Sequence, residues 1–198
     1  EVAHLIANKL TDLGLAPTLI GETDQRPNVV ATIKGSKPHR SLILNGHMDT
    51  VMPNPNWTRD PFGGEIEDGR LYGLGALDMK ASLNLFVFVA QALIEAGVQL
   101  GGDLILTFVV DEEPGAASRF GSAYLLENGL TASAAIIAEP MNDNVTIGHR
   151  GGYRFRLTVR GEAAHTGLPG WEHREIGKNA ITAMADVIGA LQHLSLIH

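Results

Sequence analysis

Ser41-Leu42-Ile43-Leu44-Asn45-Gly46, running straight into His47-Met48-Asp49, is the stretch that decides how the chain folds. It is apolar at nearly every position, the pattern of a strand covered on both faces, and it ends on side chains able to bind a metal. Upstream, residues 17–21 and 29–33 carry shorter β-like runs. Before them Val2, Leu5, Ile6 and Leu10 recur at helical spacing and stop at Gly14, which predicts an amphipathic helix over 1–13. Downstream, a Pro- and Asn-rich loop spans 52–62, and 64–73 reads as a hairpin turning at Asp68-Gly69. Residues 79–96 give the strongest helix pattern; it is apolar almost all round, so burial is expected, and Gly97 ends it. A second apolar strand over 102–110 runs into Asp111-Glu112-Glu113. A helix over 119–127 and a short buried strand over 134–138, ending at Glu139, complete the series. Strands alternating with helices predict an α/β layered domain.

The pattern changes after Gly151-Gly152. Residues 153–160, Tyr-Arg-Phe-Arg-Leu-Thr-Val-Arg, alternate strictly, as a sheet with one wet face requires, and a helix over 175–194 follows. A boundary near 150–152 therefore separates a first domain, 1–150, from the start of a second, 151–198.

Composition narrows the function. The 198 residues are 44% hydrophobic and 19% charged, enough to bury a core. A net charge of −7 argues against nucleic acid as a partner. Cysteine is absent, which excludes disulfides, thiolate metal sites and a cysteine nucleophile, so any metal must sit on His, Asp and Glu. No uninterrupted apolar run reaches 18 residues, so no membrane span is expected. The first residues, Glu1-Val2-Ala3-His4, lack the features of a signal peptide, which points to the cytoplasm. Both ends read as a chain entered and left partway through a longer protein.

Acidic and histidine residues fall directly after the predicted strands or at the entry to the apolar helix: His47 and Asp49, Asp78, Glu112 and Glu113, and Glu139. Singly, each has an ordinary structural explanation. His47 would be a satisfied core histidine, Asp78 a helix N-cap, Glu112-Glu113 a solvated pair and Glu139-Pro140 a turn. Together they mark one sheet edge, the place where open α/β sheets bind ligands. Carboxylates gathered there repel one another unless cations lie between them. Gly73-x-Gly75 lacks the third glycine of a phosphate loop, and the sequons at Asn56 and Asn144 lack a secretory context.

The order of motifs resembles a known family. Leu44-Asn45-Gly46-His47-Met48-Asp49, Gly73-Leu74-Gly75-Ala76-Leu77-Asp78-Met79-Lys80, Asp111-Glu112-Glu113, Ala138-Glu139-Pro140 and Arg160-Gly161-Glu162-Ala163-Ala164-His165 are similar to those of zinc hydrolases that include acetylornithine deacetylase, succinyl-diaminopimelate desuccinylase, aminoacylase and the glutamate carboxypeptidases. The resemblance implies a zinc-peptidase-like catalytic domain, a central mixed sheet between helices, followed by the start of an α+β lid or dimerisation domain. It implies that His47 and Glu139 bind one Zn²⁺, that Asp78 bridges to a second, and that Glu113 binds that second ion, with Co²⁺ or Mn²⁺ as alternatives. Asp49 would orient His47, and Glu112 would be the general base. Adjacent residues of an extended segment point opposite ways, which would suit Glu113 as ligand and Glu112 as base. His165 would reach a partner subunit's site in a homodimer and stabilise an oxyanion.

A further His ligand to the second zinc, expected near the end of a full-length chain, is missing from this one, and none of His173, His193 or His198 follows a returning strand. The expected activity is hydrolysis of the amide bond of an N-acyl amino acid. A dipeptidase or carboxypeptidase of the same family is the alternative, as is a non-catalytic metal-binding or dimerisation module.

Overall fold

A computed structural model describes residues 1–37, 40–113, 119–140, 144–148 and 155–193. The chain divides into two compact units, Glu1–His149 and Arg150–His198. The predicted boundary at 150–152, Tyr153, Arg154, Leu194 and His198 lie outside the described residues.

In the first unit, β1 (Thr18–Ile20), β2 (Asn28–Ile33), β3 (Ser41–His47), β6 (Asp103–Val109) and β7 (Ala134–Ile137) form a sheet in the order β1-β2-β6-β3-β7. β1–β2 and β2–β6 pair antiparallel, whereas β3 pairs parallel with both β6 and β7. The predicted central mixed sheet is thus present. β4 (Glu65–Glu67) and β5 (Arg70–Tyr72) make the separate hairpin expected at Asp68-Gly69.

Helices flank the sheet. α1 (Val2–Asp12) buries Ala3, Ile6, Ala7 and Leu10, the i, i+3, i+4, i+7 stripe of an amphipathic helix. With α2 (Ala81–Glu95) it covers the face carrying Val29, Ala31, Leu44, Leu104, Leu106 and Phe108. α2 and the turn before it come so close to β3 that a Cβ at Gly46 would lie 2.7 Å from Leu83 Cδ2 and 2.8 Å from Met79 Cε. α3 (Ser122–Glu127) covers the opposite face, where Ser122 meets Asn45.

Several expectations need correction. α2 is buried only along Leu83, Phe86 and Ala90, and Phe88 is 65% exposed: a helix lying on a sheet buries one stripe, however apolar the rest. β7 is not buried either. It lies at the sheet edge, paired only with β3 among the described residues, and Ile137 is 62% exposed. The helix predicted from 119 begins at Ser122, after a turn at Arg119-Phe120. One stretch, Ala76–Glu95, is long and apolar enough to cross a membrane by length and composition alone. Its backbone is non-helical at Asp78 and Met79, and the regular helix α2 has 15 residues, short of the ~20 a span needs.

In the second unit, 155–160 forms no strand; these residues have no ladder partner among the described residues, and a strand exists only as part of a ladder. Glu162 and Lys178 make an isolated antiparallel bridge. A short turn of helix, α4 (Pro169–Glu172), precedes α5 (Ala180–Gln192). α5 starts later than predicted because Asn179 caps it, its side chain accepting from Ile181 N and Thr182 N.

Candidate metal centre

Parallel register builds the site. His47 is level with Val109 across β3–β6, and Asn45 is level with Ile137 across β3–β7. Two residues beyond Ile137, Glu139 therefore comes level with His47. Two beyond Val109 the chain reaches Asp111, whose left-handed φ of 68° turns Glu112 and Glu113 back toward the same point. Asp78 arrives from the other side, on the irregular turn ahead of α2. Its φ of −110° and ψ of 99° are not those of a helix. The residue flanking α2 is Lys80, with no side-chain cap bond, so Asp78 is not an N-cap. Met79, wholly buried, pins this turn to β3, its sulfur accepting from His47 N at 3.2 Å. No pattern in the sequence marked that contact.

His47 is 2% exposed. Its Nδ1 lies 2.9 Å from the Asp49 carbonyl oxygen; a carbonyl only accepts, so Nδ1 carries a proton. Nε2 then faces carboxylates, 3.0 Å from Asp78 Oδ1 and 3.6 Å from Glu139 Oε1. The main chain of Asp49 thus orients the ring. Its carboxylate is engaged elsewhere: Oδ2 accepts from Glu113 N at 3.0 Å, and Oδ1, 3.7 Å from His47 Nδ1, is buried without a hydrogen-bond partner.

Two overlapping sets of ligand atoms lie within 4.8 Å of one another: His47, Asp78 and Glu139, and His47, Glu112 and Glu113. The second set corrects the expectation that Glu112 and Glu113 point apart. That holds for an extended segment, and here the chain bends after Asp111. His165 is exposed in the second unit, where Nδ1 accepts from Gly167 N at 3.0 Å.

The electrostatics demand positive charge. Burial, the largest single influence, lowers the His47 pKa. The hydrogen bond to Asp49 and the charges of Glu139, Asp49 and Glu112 outweigh it, and the net direction is upward. Glu113 is raised by burial and by the charge of Asp78, against the opposing effect of His47. Glu139 is raised by burial, again against His47, with Asp78, Glu112 and Glu113 adding to the rise. Among the described residues no Lys or Arg forms an ion pair with Asp78, Glu112, Glu113 or Glu139. An imidazole nitrogen facing carboxylates that no Lys or Arg offsets is a donor set that fits a divalent cation.

A cavity of about 550 Å³ opens beside this centre, lined by His47, Glu112 and Glu139 and floored by Asn45 and Ser122. A larger one, about 960 Å³, lies at the other end of β3 against α2. Its lining is mostly apolar and contains none of the clustered ligands, so the chemistry belongs to the smaller cavity.

Residues 43–195 match the model of a family described as peptidase family M20/M25/M40. A succinyl-diaminopimelate desuccinylase of Xanthomonas oryzae is 36% identical over 176 residues, covering 83% of this chain and 46% of that protein. One from Methylocella silvestris is 32% identical over 199 residues, covering 94% and 50%. The chain thus spans about half the length of these relatives. A tripeptidase from Staphylococcus aureus shares the fold, with TM-score 0.61 and 22% identity over 95% of this chain and 50% of that one. An M20 family metallo-carboxypeptidase from Sulfolobus solfataricus has TM-score 0.58 and 26% identity over 68% of this chain and 31% of that one.

Proposed function

The chain belongs to peptidase family M20/M25/M40, and from that premise we propose that it serves metal-dependent hydrolysis of the amide bond of an N-acyl amino acid. The observation that carries this reading is His47 Nε2 facing the carboxylates of Asp78 and Glu139, with Glu112 and Glu113 beside it. N-succinyl amino acids are the first substrates to try, because the relatives above are desuccinylases.

In this reading His47, Asp78 and Glu139 hold one ion, and Asp78 and Glu113 contribute to a second. Histidine and carboxylate donors suit Zn²⁺, with Co²⁺ or Mn²⁺ as substitutes. The bound ions supply an electrophile for the scissile carbonyl and lower the pKa of the attacking water. The Asp49 carbonyl fixes the His47 tautomer, leaving Nε2 free to be a ligand. Glu112, exposed at the edge of the cavity, takes a proton from the water that attacks the carbonyl carbon. It delivers that proton to the departing nitrogen, so amide and water leave as carboxylate and amine.

Residues 1–150 are the catalytic part in this scheme and 151–198 open a lid that also dimerises. In a homodimer His165 would donate to the oxyanion in the neighbouring subunit's site. The setting is cytoplasmic. A second reading, cleavage of a peptide bond at a free carboxyl terminus, is favoured by the 26% identity to the metallo-carboxypeptidase.

The test is Glu112→Gln in a full-length form. Zinc content should be kept and turnover should fall roughly 10²–10⁴-fold, the usual worth of a general base. Undiminished turnover would overturn the assignment. Assays on N-succinyl, N-acetyl and dipeptide substrates separate the two enzymatic readings, and zinc uptake without turnover on any of them would make the chain a binding module.

A further inference from the structure

We propose that Asn28 and Asp111 are positioning residues that set where the Glu112 and Glu113 carboxylates stand relative to His47. This rests on the metal-centre reading above, yet neither residue belongs to the clustered ligand sets.

The antiparallel ladder between β2 and β6 runs from Ile33↔Leu104 to Val29↔Phe108. One residue further, the side chain of Asn28 takes over from the main chain. It is wholly buried; Oδ1 accepts from Val110 N at 3.0 Å, while Nδ2 donates to Ile20 O at 3.1 Å and Phe120 O at 2.8 Å. A single amide thus ties together the ends of β1 and β6 and the approach to α3. Burying it is tolerable only because these bonds satisfy it.

Asp111 comes next. It is 2% exposed and left-handed, a conformation that Asn and Asp accept more readily than other side chains. Its Oδ1 accepts from Arg26 Nη2 at 3.3 Å and its Oδ2 from Phe120 N at 3.4 Å. Gly121 permits the approach: a Cβ there would lie 2.0 Å from Val110 O. The segment 110–113 is therefore anchored at Val110 by Asn28, at Asp111 by Arg26 and Phe120, and at Glu113 N by Asp49. Its direction at Asp111 decides that both glutamates reach the ligand cluster instead of continuing along β6.

The experiment uses the 198-residue chain with Asp111→Ala, Asp111→Asn and Arg26→Ala, and reads two quantities. One is hydrogen exchange of the 111–113 amides without metal, against the core amide of Leu106. The other is affinity for zinc alone by calorimetry. Asp111→Ala should speed exchange at 111–113, leave Leu106 protected, and weaken zinc binding by about tenfold or more, the scale seen when the support of a metal ligand is removed. Asp111→Asn keeps the left-handed preference and one of the two acceptor oxygens, and should recover both quantities in part. Arg26→Ala, at a half-exposed position, covers the case in which Asp111→Ala does not fold, and should give the same local effect at smaller size. Unchanged exchange at 111–113 in both alanine variants would overturn the proposal, as would an asparagine variant impaired as much as the alanine one. Failure of the unsubstituted chain to bind zinc would overturn the metal reading instead, while the exchange data would still decide the positioning.

Discussion

β6 and the segment 155–160 carry side chains suited to a sheet, and only β6 is a strand. β6 has β2 along one edge and β3 along the other, and Phe108 within it is wholly buried, edge-on to Phe86 at 6.5 Å between centroids. Residues 155–160 alternate apolar and polar side chains, yet Phe155 is exposed and no ladder includes them among the described residues. Alternation says which face would be buried once a neighbour arrives. The neighbour supplies the hydrogen bonds and the cross-strand contacts that make the strand.

Substituting the two phenylalanines puts that difference to its hardest test. Phe108→Ala should cost about 3–5 kcal/mol, the usual price of emptying a packed aromatic site. Phe155→Ala should stay within about 0.5 kcal/mol, as for an exposed position. Urea unfolding midpoints compare them, and similar shifts would mean that 155–160 is packed as tightly as β6.

The two histidines give the next contrast. His47 is buried among carboxylates, whereas His165 is exposed with Nδ1 on Gly167 N. His47→Ala should weaken zinc binding by no less than the roughly 10–100-fold typical of losing a ligand's supporting partner, and His165→Ala should leave the zinc content of the isolated chain unchanged. Metal analysis of both variants decides it; equal losses would remove His47 from the ligand set.

Such contrasts also explain what the sequence revealed. β3 was legible because a strand paired on both edges and covered on both faces reads as continuous apolar residues. The convergence of His47, Glu112, Glu113 and Glu139 was legible because parallel strands bring their carboxyl ends to one edge, and Asp78 stood out at the entry to the apolar helix. Burial of α2 and β7 was overestimated from the same apolar signal, since composition does not say whether a second layer lies over Phe88 or Ile137. The backbone at Asp78 and Asp111 escaped notice because it is fixed by distant partners: Met79 against β3, and Arg26 and Phe120 against Asp111. The long-range bonds of Asn28 leave no periodic trace at all.

Helix starts offer a subtler contrast. α2 begins without a side-chain cap and is held by Leu83, Phe86 and Ala90 in the core. α5 has no buried residues, but Asn179 Oδ1 accepts from Ile181 N at 2.9 Å and Thr182 N at 3.2 Å. Asn179→Ala should therefore cost α5 about 1 kcal/mol and speed amide exchange at Ile181 and Thr182, whereas Asn179→Ser should retain most of the protection. Protection unchanged by alanine would show that packing, not the cap, holds this end.

The smallest expected effect separates two exposed ion pairs. Lys34 Nζ lies 2.8 Å from Asp103 Oδ2, and Gly35 N donates to Oδ1 at 2.9 Å. Glu162 Oε2 and Lys178 Nζ stand 3.6 Å apart. The lysine bond first, and the Gly35 amide next, hold the Asp103 pKa below its ordinary 3.8. A carboxyl whose pKa is depressed by folding binds protons more readily when unfolded, so its contribution is complete above the unfolded value. It is lost as pH falls through the lower, folded value. Between pH ~6 and ~2, unfolding midpoints should fall less steeply in Asp103→Asn than in the unsubstituted chain, with the gap between the two curves constant above pH ~4 and closing below it. Glu162→Gln should leave the acid limb where it was, because a longer, exposed pair contributes little. A steeper change from Glu162→Gln than from Asp103→Asn would reverse the ranking, and would mean that the bridge at Glu162 and Lys178 is the firmer of the two.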